Sequence, residues 1–182
     1  MILVSEEIWS FDLEAALQKV SEQRREQALR FRHELGRRLC VLAYLLLKQA
    51  LGEVYGITEN PLFEYGEHGK PSIVGHPEIF FNLSHCKEAV VCTVADHPVG
   101  IDVECIRTYK DSLVRYTMND EEIREIESAG HPDEAFTRLW TMKEATLKLI
   151  GTGISKDLKT VIDSTKKYTT VVRQRYIYTV CE

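Results

Sequence analysis

The sequence predicts a mixed α+β fold made of two similar halves packed as a pseudodimer. Three observations support this: apolar runs of strand length, longer stretches with helical periodicity, and an order of strand, helices and strands that occurs twice along the chain. At 182 residues the chain has room for two small halves sharing a core, and a turn at His97-Pro98 separates them, giving residues 1-97 and 98-182. With 44% hydrophobic and 28% charged residues, the composition is that of a globular protein rather than a disordered or fibrous one. A formal net charge of -5 gives no general attraction to nucleic acid or to an anionic membrane, so an anionic ligand must be held by a local group of cations.

The elements follow in order. Ile2 to Phe11 reads as a first strand, and Ser21 to Gly52, rich in Arg, Glu, Leu and Ala, reads as two helices broken at His33 to Gly36. In the second of these helices Leu39, Leu42, Leu45, Leu46 and Gln49 fall near one face, with Gly52 as the stop. Asn60-Pro61, Gly66 and Gly69-Lys70-Pro71 mark residues 56-75 as loop. Ile79 to Leu83, Ala89 to Ala95 and Val99 to Val103 carry the β-branched and aromatic bias of strands. Asn119 with Glu122 three residues on is a capping box, and Pro132 and Gly151 bracket a further helix. Alternation over Lys167 to Gln174 and Tyr176 to Cys181 predicts a closing hairpin.

Five cysteines, widely spaced and without a C-x-x-C pair, argue against a disulfide framework and a zinc site. The acidic start and the lack of an apolar run near the ~20 residues of a membrane span point to a soluble cytoplasmic protein.

Three groups of residues carry chemistry. In Gly100-Ile101-Asp102-Val103-Glu104, period two puts both carboxylates on one face of a strand, either as solvent-facing edge acids or around a compensating cation such as Mg²⁺. In residues 136-148, Phe136, Leu139, Trp140, Lys143, Leu147 and Ile150 form one helical stripe; a lysine there either extends its amine to solvent or meets a buried anion. Glu144 lies at the stripe's edge, four residues from Lys148, a spacing that also suits an ordinary helix ion pair. Phe81-Asn82-Leu83-Ser84-His85 ends an apolar run in groups able to meet a phosphate, and Gly69-Lys70-Pro71 adds a constrained turn with one cation. The arginines at 24, 25, 30, 32, 37 and 38 make the first helical region the most basic part of the chain, diluted by Glu22, Glu26 and Glu34.

The ordered set GKP (69-71), FNLSH (81-85), GIDVE (100-104) and WTMKEATLK (140-148) resembles the 4′-phosphopantetheinyl transferase superfamily, in its longer, two-half, Sfp-type form. The resemblance covers most of the chain and implies a pseudodimeric monomer with its active site in the cleft between the halves. It implies transfer of the 4′-phosphopantetheine arm of coenzyme A to a serine of an apo acyl or peptidyl carrier protein, releasing adenosine 3′,5′-bisphosphate. By the same resemblance, Asp102, Glu104 and Glu144 hold Mg²⁺, with Glu104 either a third ligand or the holder of a metal-bound water. Either Glu144 or a water on Glu104 serves as general base. Lys148 approaches the pyrophosphate, Lys143 lies near the substrate phosphates, and Lys70, Pro71, Ser84 and His85 hold the adenosine and its 3′-phosphate. Arg30, Arg37 or Arg38 adds charge there. Two departures are visible: the chain ends at Glu182 without the extension of many longer members, and Cys86-Lys87-Glu88 is more charged than the usual turn. The acidic carrier protein is expected to dock between Ile106 and Met118, on Arg107, Lys110, Leu113 and Arg115. Two alternatives use the same residues: a binding module without transfer, and a hydrolase of the coenzyme A pyrophosphate.

Overall fold

The computed structural model describes residues 1-151 and 158-182, and it divides into two compact units, Met1–Val99 and Gly100–Glu182. Each unit contains a three-stranded antiparallel sheet and one long helix.

In the first unit, β1 (Ile2–Ser5) and β4 (Phe80–His85) flank β5 (Val90–Ala95), with Val4 opposite Val91 and Ser84 opposite the same valine from the other side. Three helices lie between β1 and β4 in sequence: α1 (Leu13–Leu17), α2 (Glu22–Leu29) and α3 (Glu34–Tyr55). Asp12 caps α1 by accepting from the backbone N–H groups of Glu14 and Ala15, and Ser21 caps α2 by accepting from Arg24. The apolar face of α3 buries Leu39, Leu42, Leu46 and Leu47 in a core with Phe63, Phe81, Val90 and Cys92. Tyr44 reaches from this helix to donate its hydroxyl to the Pro61 carbonyl at 2.9 Å.

Here the structure corrects several expectations. The first strand stops at Ser5, well short of Phe11, and a short helix, α1, follows before Ser21 where none is expected. The helix break lies at residues 30-33, slightly earlier than expected, and α3 runs through Gly52 to the left-handed cap at Gly56 (φ 70°). One interior glycine costs only about 1 kcal/mol, which the buried leucines outweigh. Residues 56-75 are not all loop, since β2 (Phe63–Tyr65) pairs with β3 (Pro71–Ile73) across the Gly66 to Lys70 turn.

In the second unit, β6 (Gly100–Cys105) and β7 (Tyr168–Val172) flank β8 (Tyr176–Cys181). Before the closing hairpin come α4 (Asp111–Thr117), α5 (Asp120–Ser128), α6 (Pro132–Ile150) and a single 3₁₀ turn at Leu158–Thr160. The capping box forms as expected: Asn119 accepts from Glu121 and Glu122, and the Glu122 carboxylate returns to the Asn119 N–H at 2.8 Å. Gly151, at φ 78°, ends α6. The helix packs along β6 and β8. No helix among the described residues is long and apolar enough to cross a membrane.

Candidate active site

Period two sends Gly100, Asp102 and Glu104 to one face of β6, while Ile101 and Val103, both buried, occupy the other. From α6, Lys148 reaches this face and its Nζ lies 2.6 Å from Asp102 Oδ1. The pairing differs from the helix pair that four-residue spacing allows between Glu144 and Lys148: the lysine serves the buried carboxylate, whose side chain is 5% exposed against 29% for Lys148. A buried carboxylate draws more from a cation than a wet one does, because water screens the second far better.

Glu104 and Glu144 share this neighbourhood. Burial pushes the Glu104 carboxyl above the ordinary carboxylate value and the negative charge of Asp102 pushes it further, opposed by a hydrogen bond from Trp140 and by Arg107 and Lys148. Glu144 is raised for the same first reason, burial, and by Asp102 and Glu104, with Lys148 opposing. Three half-buried or buried acids that repel one another are held here, with Lys148 bonded to Asp102 and opposing the shift of both glutamates.

Such a donor set suits Mg²⁺, a hard cation that takes carboxylate oxygens and lowers their repulsion. Among the described residues no three His, Cys, Asp or Glu side chains stand close enough together to hold a metal ion as they are now placed.

Lys143 is corrected. Its side chain is fully buried, and Nζ donates to Glu122 Oε1 and to the Leu158 carbonyl, each at 2.7 Å. An ammonium with no exposed surface has nothing to offer a substrate phosphate; of the two outcomes open to a lysine on an apolar stripe, it meets a buried anion. The rest of that stripe holds for Phe136, Leu139 and Leu147, whereas Ile150 is exposed.

Lys70, Pro71, Ser84 and His85 belong to the first unit. Lys70 closes the β2–β3 turn, is half-buried, and burial lowers its pKa. Ser84 is buried on β4, and His85 at the strand's end is exposed. The arginines of this unit are largely engaged within it. Arg37 Nε donates to the Phe31 carbonyl at 2.9 Å, and Arg38 binds Glu34 at 2.8 Å and the Phe11 carbonyl at 2.8 Å. Arg24 stacks over the Tyr44 and Phe63 rings, 5.3 and 5.1 Å from their centroids.

Sequence reasoning placed Trp140 on an apolar stripe and assigned it no contact with Glu104. Nothing in a one-dimensional pattern distinguishes an indole that only packs from one that lowers the pKa of an acid on another element. Beside it, a cavity of about 300 Å³ is lined by Glu104, Arg107, Tyr109, Lys110, Phe136 and Trp140 among others. Its aromatic wall is continuous: Tyr109 and Phe136 centroids are 4.7 Å apart, Phe136 and Trp140 6.2 Å.

A sequence profile described as the 4′-phosphopantetheinyl transferase superfamily matches residues 98–179. Among similar curated proteins are a 4′-phosphopantetheinyl transferase of Bacillus subtilis, 32% identical over 143 residues, and 4′-phosphopantetheinyl transferase psf-1 of Bacillus pumilus, 37% identical over 142. The Sfp protein of Bacillus subtilis strain 168 is 28% identical over 142 residues. Each alignment covers 76% of this chain, which spans 61–63% of the relatives' own length. The profile and the relatives agree: the chain belongs to the 4′-phosphopantetheinyl transferase superfamily.

Proposed function

We propose that this protein transfers the 4′-phosphopantetheine arm of coenzyme A to a serine hydroxyl of an apo carrier protein, releasing adenosine 3′,5′-bisphosphate, with Mg²⁺ as its metal. The observation that carries the reading is the convergence of Asp102, Glu104 and Glu144, mutually repelling and half-desolvated, with Lys148 bonded to Asp102, in a chain of this superfamily.

The reaction forms a bond from the serine oxygen to the β-phosphorus of coenzyme A and breaks the bond from that phosphorus to the departing bisphosphate. Asp102, Glu104 and Glu144 are the residues that hold Mg²⁺, which when bound neutralises charge on the pyrophosphate. The serine proton goes to Glu144 or to a water held by Glu104. Lys148, on the last turn of α6, supplies positive charge to the pyrophosphate. Lys70, Pro71, Ser84 and His85 hold the adenosine and its 3′-phosphate.

The carrier protein docks on residues 106-118, where Arg107, Lys110 and Arg115 meet its acidic surface and the exposed Leu113 offers an apolar contact. We place the chain in the cytoplasm as a monomer, serving carrier proteins such as those of fatty acid synthesis; five free, buried cysteines suit that compartment. The test is chromatography of the nucleotide product from coenzyme A, Mg²⁺ and apo carrier protein. Adenosine 3′,5′-bisphosphate formed in equal amount to modified carrier supports transfer, whereas free 4′-phosphopantetheine with unmodified carrier means hydrolysis.

A further inference from the structure

We infer that Gly100 is a positioning residue: its missing Cβ sets the height at which α6 lies over β6, and with it the separation across which Glu144 and Lys148 face Asp102. The inference rests on the function proposed above.

A Cβ on Gly100 would fall 2.0 Å from the Ala145 carbonyl oxygen and 2.6 Å from the Leu149 backbone nitrogen. These atoms are the acceptor and donor of one i to i+4 helical hydrogen bond, so the strand meets the backbone of α6 itself. Gly36 is also crowded, but its neighbour is the Phe31 side chain at 2.7 Å, a group able to swing aside. At Gly100 nothing can swing aside; the whole helix would have to lift.

The contact is placed where a lift matters. Ala145 follows Glu144 directly and Leu149 follows Lys148, so each helical residue touching Gly100 is the next neighbour of a functional one. On the strand, Asp102 and Glu104 are the next two positions on the same face. A second contact seats the helix one turn earlier, where the buried hydroxyls of Thr141 and Thr179 lie 2.8 Å apart. Thr179 is the cross-strand partner of Asp102. Restoring ordinary van der Waals distance at residue 100 moves α6 by more than about 1 Å. Site geometry tolerates ~0.5 Å, so the 2.6 Å bond from Lys148 to Asp102 and the shared hold of Asp102 and Glu144 on a metal would both be lost.

The test compares Gly100→Ala with the native chain in two ways: Mn²⁺ binding followed by electron paramagnetic resonance without coenzyme A, and the Mg²⁺ dependence of transfer to an apo carrier protein. We expect Mn²⁺ affinity to fall about tenfold or more and the Mg²⁺ concentration for half-maximal rate to rise in step. A purely structural role would remove folded molecules, lowering the amplitude of both curves without moving either midpoint. A folded Gly100→Ala protein with native midpoints overturns the inference. Should that variant not fold, Ala145→Val, which adds bulk between α6 and Cys181, the cross-strand partner of Gly100, is judged by the same two midpoints. A native chain that neither binds Mn²⁺ nor transfers the arm overturns the proposed function instead.

Discussion

Lys148 Nζ stands 2.6 Å from Asp102 Oδ1, joining the last turn of α6 to the middle of β6 across 46 residues of chain. The acid is buried and the lysine partly exposed, so the pair keeps one wet end. Lys148→Ala leaves Asp102 desolvated without this cation and should cost about 1–3 kcal/mol by denaturant unfolding, below the figure for a fully buried pair. Transfer should fall at least ~100-fold, as expected on removing a group that stabilises developing charge. Unchanged stability and rate would show the contact to be idle.

Metal binding should be visible in stability alone. Mg²⁺ at a hundredfold excess over its Kd should stabilise the native chain by about 2.7 kcal/mol, seen as a raised Tm. Asp102→Ala should show no such rise. Equal rises in both proteins would remove Asp102 from the metal set.

The pH response follows from the direction of the shifts. Glu104 and Glu144 have carboxyls raised by burial above the ordinary 4.5, so the folded state holds their protons more tightly than the unfolded chain. Their contribution to stability is therefore fully present below the ordinary value and is lost as pH rises through the raised one. Without metal, Glu144→Gln should be more stable than the native chain at pH 7, by a few degrees of Tm at most because solvent screens both acids, and the advantage should vanish near pH 4. A destabilised Glu144→Gln at pH 7 would contradict the assigned repulsion.

Lys143 is a matter of folding. Removing it as Lys143→Met leaves Glu122 buried without its cation and frees the Leu158 carbonyl, at a cost of about 3–5 kcal/mol. Combining it with Glu122→Gln should recover part of that loss. The double variant should keep a native KM for coenzyme A; a large rise in KM would return Lys143 to the phosphates.

Elements with a strong period or a capping signature were legible in the sequence. The Asn119 capping box, the Gly151 stop and the closing hairpin stand where their residues predict. The short α1 and the β2–β3 hairpin were not, because five- and three-residue elements carry too little pattern and are fixed by contacts such as Phe63 on Phe81, 5.4 Å between centroids. At the site, alternation in GIDVE was enough to put both acids on one face, but the partner of each lysine was not legible, since the stripe does not name the anion that Lys143 meets and spacing offers Lys148 to Glu144 rather than to Asp102. Only the packing of α6 sends one to Glu122 and the other to Asp102. The close approach at Gly100 was equally hidden, as a glycine within a strand does not say which backbone lies against it until the helix is found there.

Intact mass spectrometry of an apo acyl carrier protein incubated with this protein, coenzyme A and Mg²⁺ tests the central claim most directly. The account predicts a gain of one phosphopantetheine, about 340 Da for the group transferred, abolished by Asp102→Ala and by EDTA. No gain on any of several carrier proteins, while coenzyme A still binds, would contradict it.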